Sequence, residues 1–278
     1  MGGTAAKSLV ARLMTPLMGP LMEQRRKIVS GNWKMHKGLD EARDLARAIA
    51  SGLEPGSGPE VVIFPASPFL VAVVEAVSKA AHPIGVGAQN VHPSPEGAFT
   101  GEISVAMVRS TGARHALAGH SERRQLFGDT DAFVGKKVRA ILDLGLTPFF
   151  CVGETIEERE ANKTIEVVAR QLKAGLDHVD ANKLARVVIA YEPVWAIGTG
   201  KTATPRQGAE VHRFIRSELA KRSKAAAEAI PILYGGSVKP ANIRELLAEK
   251  EIDGALIGGA SLEAAGFLEM CRAAREAG

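Results

Sequence analysis

Residues Val187–Tyr191 read Val-Val-Ile-Ala-Tyr, with Glu192 directly after them, and this run is the strongest indication of the fold. Its apolar residues do not alternate with polar ones, which indicates a strand buried on both faces, as in a parallel sheet. Similar runs recur along the chain and predict seven more strands: Lys27–Asn32, Glu60–Phe64, Ile84–Gln89, His115–Gly119, Leu146–Val152, Pro231–Tyr234 and Gly254–Ile257.

Helical stretches separate these runs. Two of them begin with a capping residue followed by proline, at Ser67-Pro68 and Thr204-Pro205. The predicted helices are Asp40–Ser51, Pro68–Ala80, Ile103–Ser110, Asp131–Leu144, Thr155–Leu176, Thr204–Lys221, Pro240–Glu249 and Leu262–Ala274. Right-handed crossovers of this regularity predict an eight-stranded sheet that closes into a barrel.

The alternative to a barrel is an open, doubly wound sheet, which usually carries a glycine-rich phosphate turn after its first strand. Here the first strand is followed by Asn-Trp-Lys-Met at 32–35, and the glycine pairs come late, at 235–236 and 258–259. Phosphate capture after the seventh and eighth strands is typical of the barrel. The sequence therefore favours the α/β class with a single (β/α)8 barrel.

The charge distribution argues against a nucleic-acid partner. The chain has 35 basic and 31 acidic residues, and the first 27 residues hold five of the basic and one of the acidic ones, so the rest is neutral. A neutral body lacks the basic face that replaces nucleic-acid counterions. Two cysteines in 278 residues predict reduced thiols and a cytoplasmic location. The chain contains no run of 18 or more apolar residues, so no membrane-spanning helix is predicted.

The segment before the first strand differs from the rest. Residues 1–22 contain no acidic residue and carry apolar pairs four apart, but Pro16 and Gly19-Pro20 interrupt the helical spacing. We predict that residues 1–24 are an N-terminal extension, either disordered or the result of a start upstream of Met22, with a transit-like peptide as the alternative. Residues 25–278 are predicted to form the barrel domain.

Reactive residues of such a barrel lie at the C-terminal ends of its strands. There the chain has Asn32 and Lys34 after the first strand, His120 after the fourth and Glu192 after the sixth. A glutamate can act as a general base, a histidine can donate a hydrogen bond to a carbonyl, and a lysine can balance an anion. The glycine turns can offer backbone N–H groups to a phosphate. Together these residues predict proton abstraction beside the carbonyl of a small phosphorylated substrate, without a cofactor. The seven histidines show no metal-ligand spacing, so no metal site is predicted.

Five segments resemble the triosephosphate isomerase family closely and occur in that family's order. They are Gly-Asn-Trp-Lys-Met at 31–35, Gly-His-Ser-Glu-Arg-Arg at 119–124, Cys-Val-Gly-Glu-Thr at 151–155, Tyr-Glu-Pro-Val-Trp-Ala-Ile-Gly-Thr-Gly at 191–200 and Tyr-Gly-Gly-Ser-Val at 234–238. The resemblance runs from about residue 25 to the C-terminus. It implies the TIM barrel fold and the interconversion of glyceraldehyde 3-phosphate and dihydroxyacetone phosphate.

The resemblance also implies a role for each matched position. Glu192 would shuttle the proton between two carbons, His120 would polarise the substrate oxygens as a neutral imidazole, Lys34 would stabilise the enediolate, and Asn32 would orient a substrate oxygen. The phosphate would be held by the N–H groups of Gly198, Ser237, Gly258 and Gly259. The supporting positions would be Ser121 and Glu122, of which the second organises Lys34.

Two loops have counterparts in the same family. The segment Pro193–Ala203 resembles its mobile lid, which would close over the substrate and exclude water. The loop Gln89–Glu102 resembles its interdigitating dimer loop, which implies a homodimer in which Thr100 reaches toward the partner's active site.

Several other residues are predicted to be structural: Cys151, His115, and the pair Glu154 and Arg159. The pair Arg123 and Arg124 is predicted to be a structural or an interface feature rather than a phosphate clamp. The stretch Gly198–Thr202 ends like a nucleotide-binding P-loop, but position 195 is tryptophan where that loop needs glycine. Two other functions remain open at this stage. One is a non-catalytic barrel that binds a phosphorylated metabolite or serves as a scaffold, and the other is a phosphate-binding barrel enzyme with a different substrate.

Overall fold

Eight parallel strands form the centre of the computed structural model, which describes residues 25–56, 58–197 and 203–277. They are β1 (Ile28–Asn32), β2 (Glu60–Phe64), β3 (Ile84–Ala88), β4 (His115–Ala118), β5 (Thr147–Val152), β6 (Val188–Tyr191), β7 (Ile232–Tyr234) and β8 (Gly254–Ile257). Each strand pairs with its neighbour in sequence, and β1 also pairs with β8, so the sheet closes. The predicted (β/α)8 barrel is confirmed.

Helices connect these strands around the outside of the barrel. In the described residues they are α1 (Leu39–Gly52), α2 (Leu70–Val77), α3 (Val105–Ser110), α4 (Ser121–Phe127), α5 (Asp131–Asp143), α6 (Ile156–Glu160), α7 (Thr164–Leu176), α8 (Ala181–Leu184), α9 (Pro205–Arg222), α10 (Lys224–Ala229), α11 (Ile243–Leu247) and α12 (Ala264–Glu276). Three-residue or four-residue 3-10 turns occur at Ser67–Phe69, Val194–Ala196 and Gly259–Leu262.

One of the two predicted helix caps is present. The hydroxyl of Thr204 accepts a hydrogen bond from the N–H of Gln207 at 3.2 Å, and the Gln207 side chain accepts one from the N–H of Thr204 at 2.9 Å. These two bonds satisfy backbone donors at the start of α9. The cap predicted at Ser67 is wrong, because the chain there makes a 3-10 turn without a side-chain cap and α2 begins only at Leu70.

The stretch Thr155–Leu176, predicted as one helix, forms two. Asn162 lies between α6 and α7 with φ of 57°, a left-handed conformation that asparagine tolerates better than most residues. The predicted helix Pro240–Glu249 is also shorter in the structure, where α11 spans only Ile243–Leu247.

Apolar side chains pack in two layers. Alternate strand residues, such as Phe149 and Cys151 or Val188 and Ala190, join one buried cluster. This spacing of two places the cluster inside the barrel. The opposite faces of the strands pack against the helices in a larger cluster. Burial on both faces explains why the strand runs do not alternate in polarity.

Within the described residues, none of the helices combines the length and the apolar composition that crossing a bilayer requires. The predicted extension, residues 1–24, lies outside the described residues. The domain boundary at residue 25 therefore stays a prediction.

Candidate active site

The side chains predicted to act together meet at the C-terminal rim of the barrel. Asn32 is the last residue of β1, His120 follows β4 by two residues, and Glu192 follows β6 directly. All three are buried. Because parallel strands end at the same rim, residues distant in sequence become neighbours there.

The carboxylate of Glu192 is held by one oxygen only. Its Oε2 accepts a hydrogen bond from the backbone N–H of Ser121 at 2.8 Å. Its Oε1 lies 3.1 Å from Nε2 of His120, outside hydrogen-bond alignment, and no donor of the described residues is aligned with it. The side chain is only 2% exposed. A buried carboxylate oxygen without a fixed donor is suited to accept a proton from a substrate.

The imidazole of His120 caps the start of α4. Its Nδ1 accepts a hydrogen bond from the backbone N–H of Glu122 at 3.3 Å. A ring nitrogen that accepts a hydrogen bond carries no proton, so this bond assigns the proton of the neutral ring to Nε2. The Nε2–H donor then lies beside Glu192, where it can reach a substrate oxygen.

Lys34 adopts an unusual backbone conformation, and contacts hold both its backbone and its ammonium group. Its φ is 52°, a region that costs a residue with a side chain about 1–3 kcal/mol. The Asn32 side chain accepts from the N–H of Lys34 at 3.0 Å, and Gln89 donates to the carbonyl of Lys34 at 2.7 Å. The ammonium contacts Glu122 Oε1 at 2.6 Å. Gln89 was not predicted as a site residue. Its position could have indicated it, because it is the polar residue at the C-terminal end of the third predicted strand, where the other site residues also lie.

The two glycine turns border the same space. The position of a Cβ on Gly235 would lie 2.9 Å from Cγ of Glu192, so this turn passes directly beside the carboxylate side chain. A Cβ on Gly258 would lie 3.5 Å from Cε of Lys34, and the space beside Gly259 is open within 4 Å among the described atoms.

The remaining phosphate positions differ in what can be said of them. Ser237 follows β7, and its carbonyl accepts a hydrogen bond from the Asn242 side chain at 3.0 Å. Gly198 lies outside the described residues, as does most of the tip of the predicted lid.

Glu154 anchors the start of the lid segment. It is fully buried, and its Oε1 accepts from Trp195 Nε1 at 3.0 Å and from the Tyr191 hydroxyl at 3.1 Å. The ion pair predicted with Arg159 is confirmed at 3.3 Å. Burial and the adjacent carboxylate raise the pKa of Tyr191 well above its usual range, so the hydroxyl remains a donor. The hydrogen bonds from Tyr191 and Trp195 were not predicted from the sequence.

A cavity of about 320 Å³ adjoins the site on the side of the long loop. Lys34, His120 and Glu122 line it together with Met35, which is 94% exposed. Thr100 lies exposed on the long loop, next to Gly101, which also lines this cavity.

Cys151, His115 and Arg124 have the surroundings of structural residues. Burial raises the pKa of the Cys151 thiol well above its usual range, which keeps it protonated and unreactive. His115 packs edge-on against Phe149, and burial lowers its pKa to about 4. Arg124 donates to two backbone carbonyls and an aspartate. Among the described residues, no three acidic, histidine or cysteine side chains are grouped so as to hold a metal ion.

Comparisons with known proteins agree on one family. The family model described as Triosephosphate isomerase matches residues 27–274. The chain is 47% identical over 249 residues to the Triosephosphate isomerase of Syntrophotalea carbinolica, covering 89% of this chain and 98% of the relative. It is 49% identical over 250 residues to that of Stenotrophomonas maltophilia strain K279a, covering 90% and 98%. It is 48% identical over 247 residues to that of Chloroflexus aurantiacus, covering 88% and 98%.

Proposed function

The chain belongs to the triosephosphate isomerase family, and we propose that Glu192, His120 and Lys34 carry out its reaction. That reaction interconverts D-glyceraldehyde 3-phosphate and dihydroxyacetone phosphate by proton transfer through an enediolate. Family membership decides against the two alternatives, a non-catalytic barrel and an enzyme with a different phosphorylated substrate. The assignment of residues rests mainly on one observation, the carboxylate of Glu192 with one oxygen fixed and the other facing Nε2 of His120.

Glu192 is the base in this mechanism. Its Oε1 takes a proton from the carbon beside the substrate carbonyl, and the electron pair of that C–H bond forms the carbon–carbon double bond of the enediolate. Nε2–H of His120 donates to the oxygen on which negative charge develops and relays a proton between the two oxygens. Glu192 then returns its proton to the neighbouring carbon. The products are isomers of the reactants, so the chemistry needs no redox cofactor.

Lys34 stabilises the negative charge of the enediolate. Its ammonium is placed by Glu122 at 2.6 Å, and its backbone is placed by Asn32 and Gln89. A fixed cation stabilises charge that develops in the transition state more than a mobile one, because it need not reorganise during the reaction. Asn32 lies beside it and orients a substrate oxygen.

Backbone N–H groups hold the substrate phosphate. The positions are Ser237, Gly258, Gly259 and, outside the described residues, Gly198. Glycines at these turns let the backbone approach an anion closely. The segment Pro193–Ala203 acts as the lid, and its first residues are anchored through Trp195 to the buried Glu154. A closed lid excludes water from the enediolate.

The enzyme acts as a homodimer in the cytoplasm, with the barrel domain starting at residue 25 and an extension before it. The cavity beside Lys34 is rimmed by large exposed apolar side chains, including Met35 at 94% and Phe127 at 64% exposure. Apolar surface of this kind favours contact with a second copy. Thr100, exposed on the long loop, reaches into the partner's cavity and not into that of its own chain.

The substitution Glu192→Gln tests this assignment. Glutamine keeps the shape of the side chain but cannot take the proton, so kcat for the isomerisation should fall by about 10²- to 10⁴-fold. The far-ultraviolet circular dichroism and the unfolding midpoint should stay close to those of the wild type. The exposed glutamate Glu160 on α6 provides the matched control, since Glu160→Gln should leave kcat unchanged.

Rapid isomerisation by Glu192→Gln would place the base on another residue. A folded wild-type protein without isomerase activity would refute the proposed function itself.

A further inference from the structure

The side chain of Arg124 connects α4 to the ends of β4 and β5 and to the start of α5. It lies on α4 and is 15% exposed. Its Nε donates to the carbonyl of Gly119 at 2.7 Å, and its Nη2 donates to the carbonyl of Cys151 at 3.1 Å. Its Nη1 contacts Asp131, the first residue of α5, at 2.6 Å. A planar guanidinium is the side chain best suited to grip several acceptors in a fixed geometry.

The backbone at Gly119 makes room for this guanidinium. Gly119 has φ of 76°, and a Cβ there would lie 2.8 Å from Nη2 of Arg124 and 2.7 Å from Val134. Only glycine satisfies both the left-handed conformation and the close approach. The carbonyl that Arg124 holds is thus the last one before His120.

Two contacts make the position of α4 matter for the reaction. Ser121, the first residue of α4, donates its N–H to Oε2 of Glu192, and Glu122 donates its N–H to Nδ1 of His120. The backbone N–H of Glu192 bonds to the carbonyl of Val152, which directly follows Cys151. The guanidinium therefore binds the chain at two strand ends. One is the end of β4, directly before His120, and the other is the end of β5, where Val152 accepts the hydrogen bond from Glu192.

We propose that Arg124 is a positioning residue for the isomerisation: its guanidinium fixes the start of α4 against the ends of β4 and β5, so that Nε2 of His120 and Oε1 of Glu192 face the same substrate in reactive geometry. This inference rests on the roles proposed above for His120 and Glu192. The competing interpretation is a structural ion pair with Asp131, which also contacts Arg170 at 2.9 Å.

Kinetics of three variants separate these interpretations. Arg124→Met keeps an unbranched side chain but removes the guanidinium and all of its hydrogen bonds. The kcat should therefore fall by about 100-fold, a loss that a misplacement of catalytic groups by about 1 Å can cause. The KM and the dissociation constant of inorganic phosphate should stay nearly unchanged, because the glycine turns that bind phosphate follow β7 and β8. Arg124→Lys should recover part of kcat, since an ammonium can still donate to one of the carbonyls. The matched control Arg170→Gln, which breaks only the outer ion pair, should keep the wild-type kcat.

A nitrogen-15 NMR spectrum of the imidazole of His120 adds a readout that does not depend on turnover. Loss of the guanidinium should shift the Nδ1 and Nε2 resonances, whereas Arg170→Gln should not. Should Arg124→Met fail to fold, Arg124→Lys decides by the same two measurements.

The inference is overturned if the Arg124 variants keep wild-type kcat and unshifted imidazole resonances. It is also overturned if Arg170→Gln lowers kcat as much as Arg124→Met, or if phosphate affinity falls in step with kcat. A wild type without isomerase activity would instead count against the proposed function, and the NMR comparison would still test the placement of His120.

Discussion

One methyl group at Gly153 should displace Glu192, the proposed catalytic base. Gly153 follows β5 and is held on both sides by the buried Gln171, which accepts from its N–H at 2.7 Å and donates to its carbonyl at 3.1 Å. A Cβ on Gly153 would overlap the carbonyl oxygen of Glu192 and lie 2.6 Å from its carbonyl carbon. Because Gln171 holds Gly153, we expect the backbone of Glu192 to move, by about 1 Å, to relieve the overlap.

Gly153→Ala should therefore lower kcat by about 100-fold, a loss that misplacing a catalytic group by about 1 Å can cause. Overpacking should also lower the free energy of unfolding by about 1–3 kcal/mol. Steady-state isomerisation and urea unfolding measure the two effects separately. Gly135→Ala is the matched control, because a Cβ there would overlap the carbonyl of Ala174 between α5 and α7 in the outer helical layer. It should lose similar stability and keep kcat.

Wild-type kcat for a folded Gly153→Ala protein would refute this reasoning, since the strand end could then absorb the methyl group without moving the base. An equal loss of kcat in Gly135→Ala would refute it as well, because the loss would then follow general destabilisation.

Three further results are expected. Lys137→Met should lower the free energy of unfolding by about 3 kcal/mol in urea titrations, because it removes the ammonium that contacts the buried carboxylate of Asp129 at 2.5 Å and leaves that carboxylate, among the described residues, only the cation of Arg123, at 3.6 Å; a loss below about 1 kcal/mol would mean that Arg123 compensates for the missing ammonium. Burial lowers the pKa of His115 to about 4 and that of His212 to about 3, against 6.5 for a free histidine. The unfolded chain therefore binds more protons in acid, so stability should be full above about pH 6.5 and fall as the pH drops toward 4, by about 3 kcal/mol for His115; His115→Gln should flatten this acid slope, and an unchanged slope would contradict the assignment. Met35→Asp should convert the proposed dimer to monomers in sedimentation experiments, because it places a charge on the apolar rim of the cavity; a dimer of unchanged stability would place the interface elsewhere.

Much of the fold could be predicted from local patterns. An uninterrupted apolar run such as 187–191 has no polar face to offer water, so it predicts a strand covered on both sides. The boundaries were less predictable where one residue separates two helices, as at Asn162, or where a capping pattern lies within a 3-10 turn, as at Ser67. Both depend on backbone angles that composition alone does not specify.

The reactive residues could be named because they occupy one place in a repeated pattern, the residue or two after a strand. Glu192 and His120 were predicted in this way, and the structure brings them within 3.1 Å. Their roles stay predictions until the variants are measured.

The strand count, the barrel and the residue types at its rim can be predicted from the sequence, because strand and helix periods are local properties of the chain. The partners that hold those residues become visible only in the folded structure. The N–H of Ser121 on Glu192, the side chain of Gln89 on the Lys34 carbonyl and the guanidinium of Arg124 across two strand ends are contacts between distant segments. No period in the sequence encodes them, because they arise only when the sheet closes and its register brings the strand ends to a common rim.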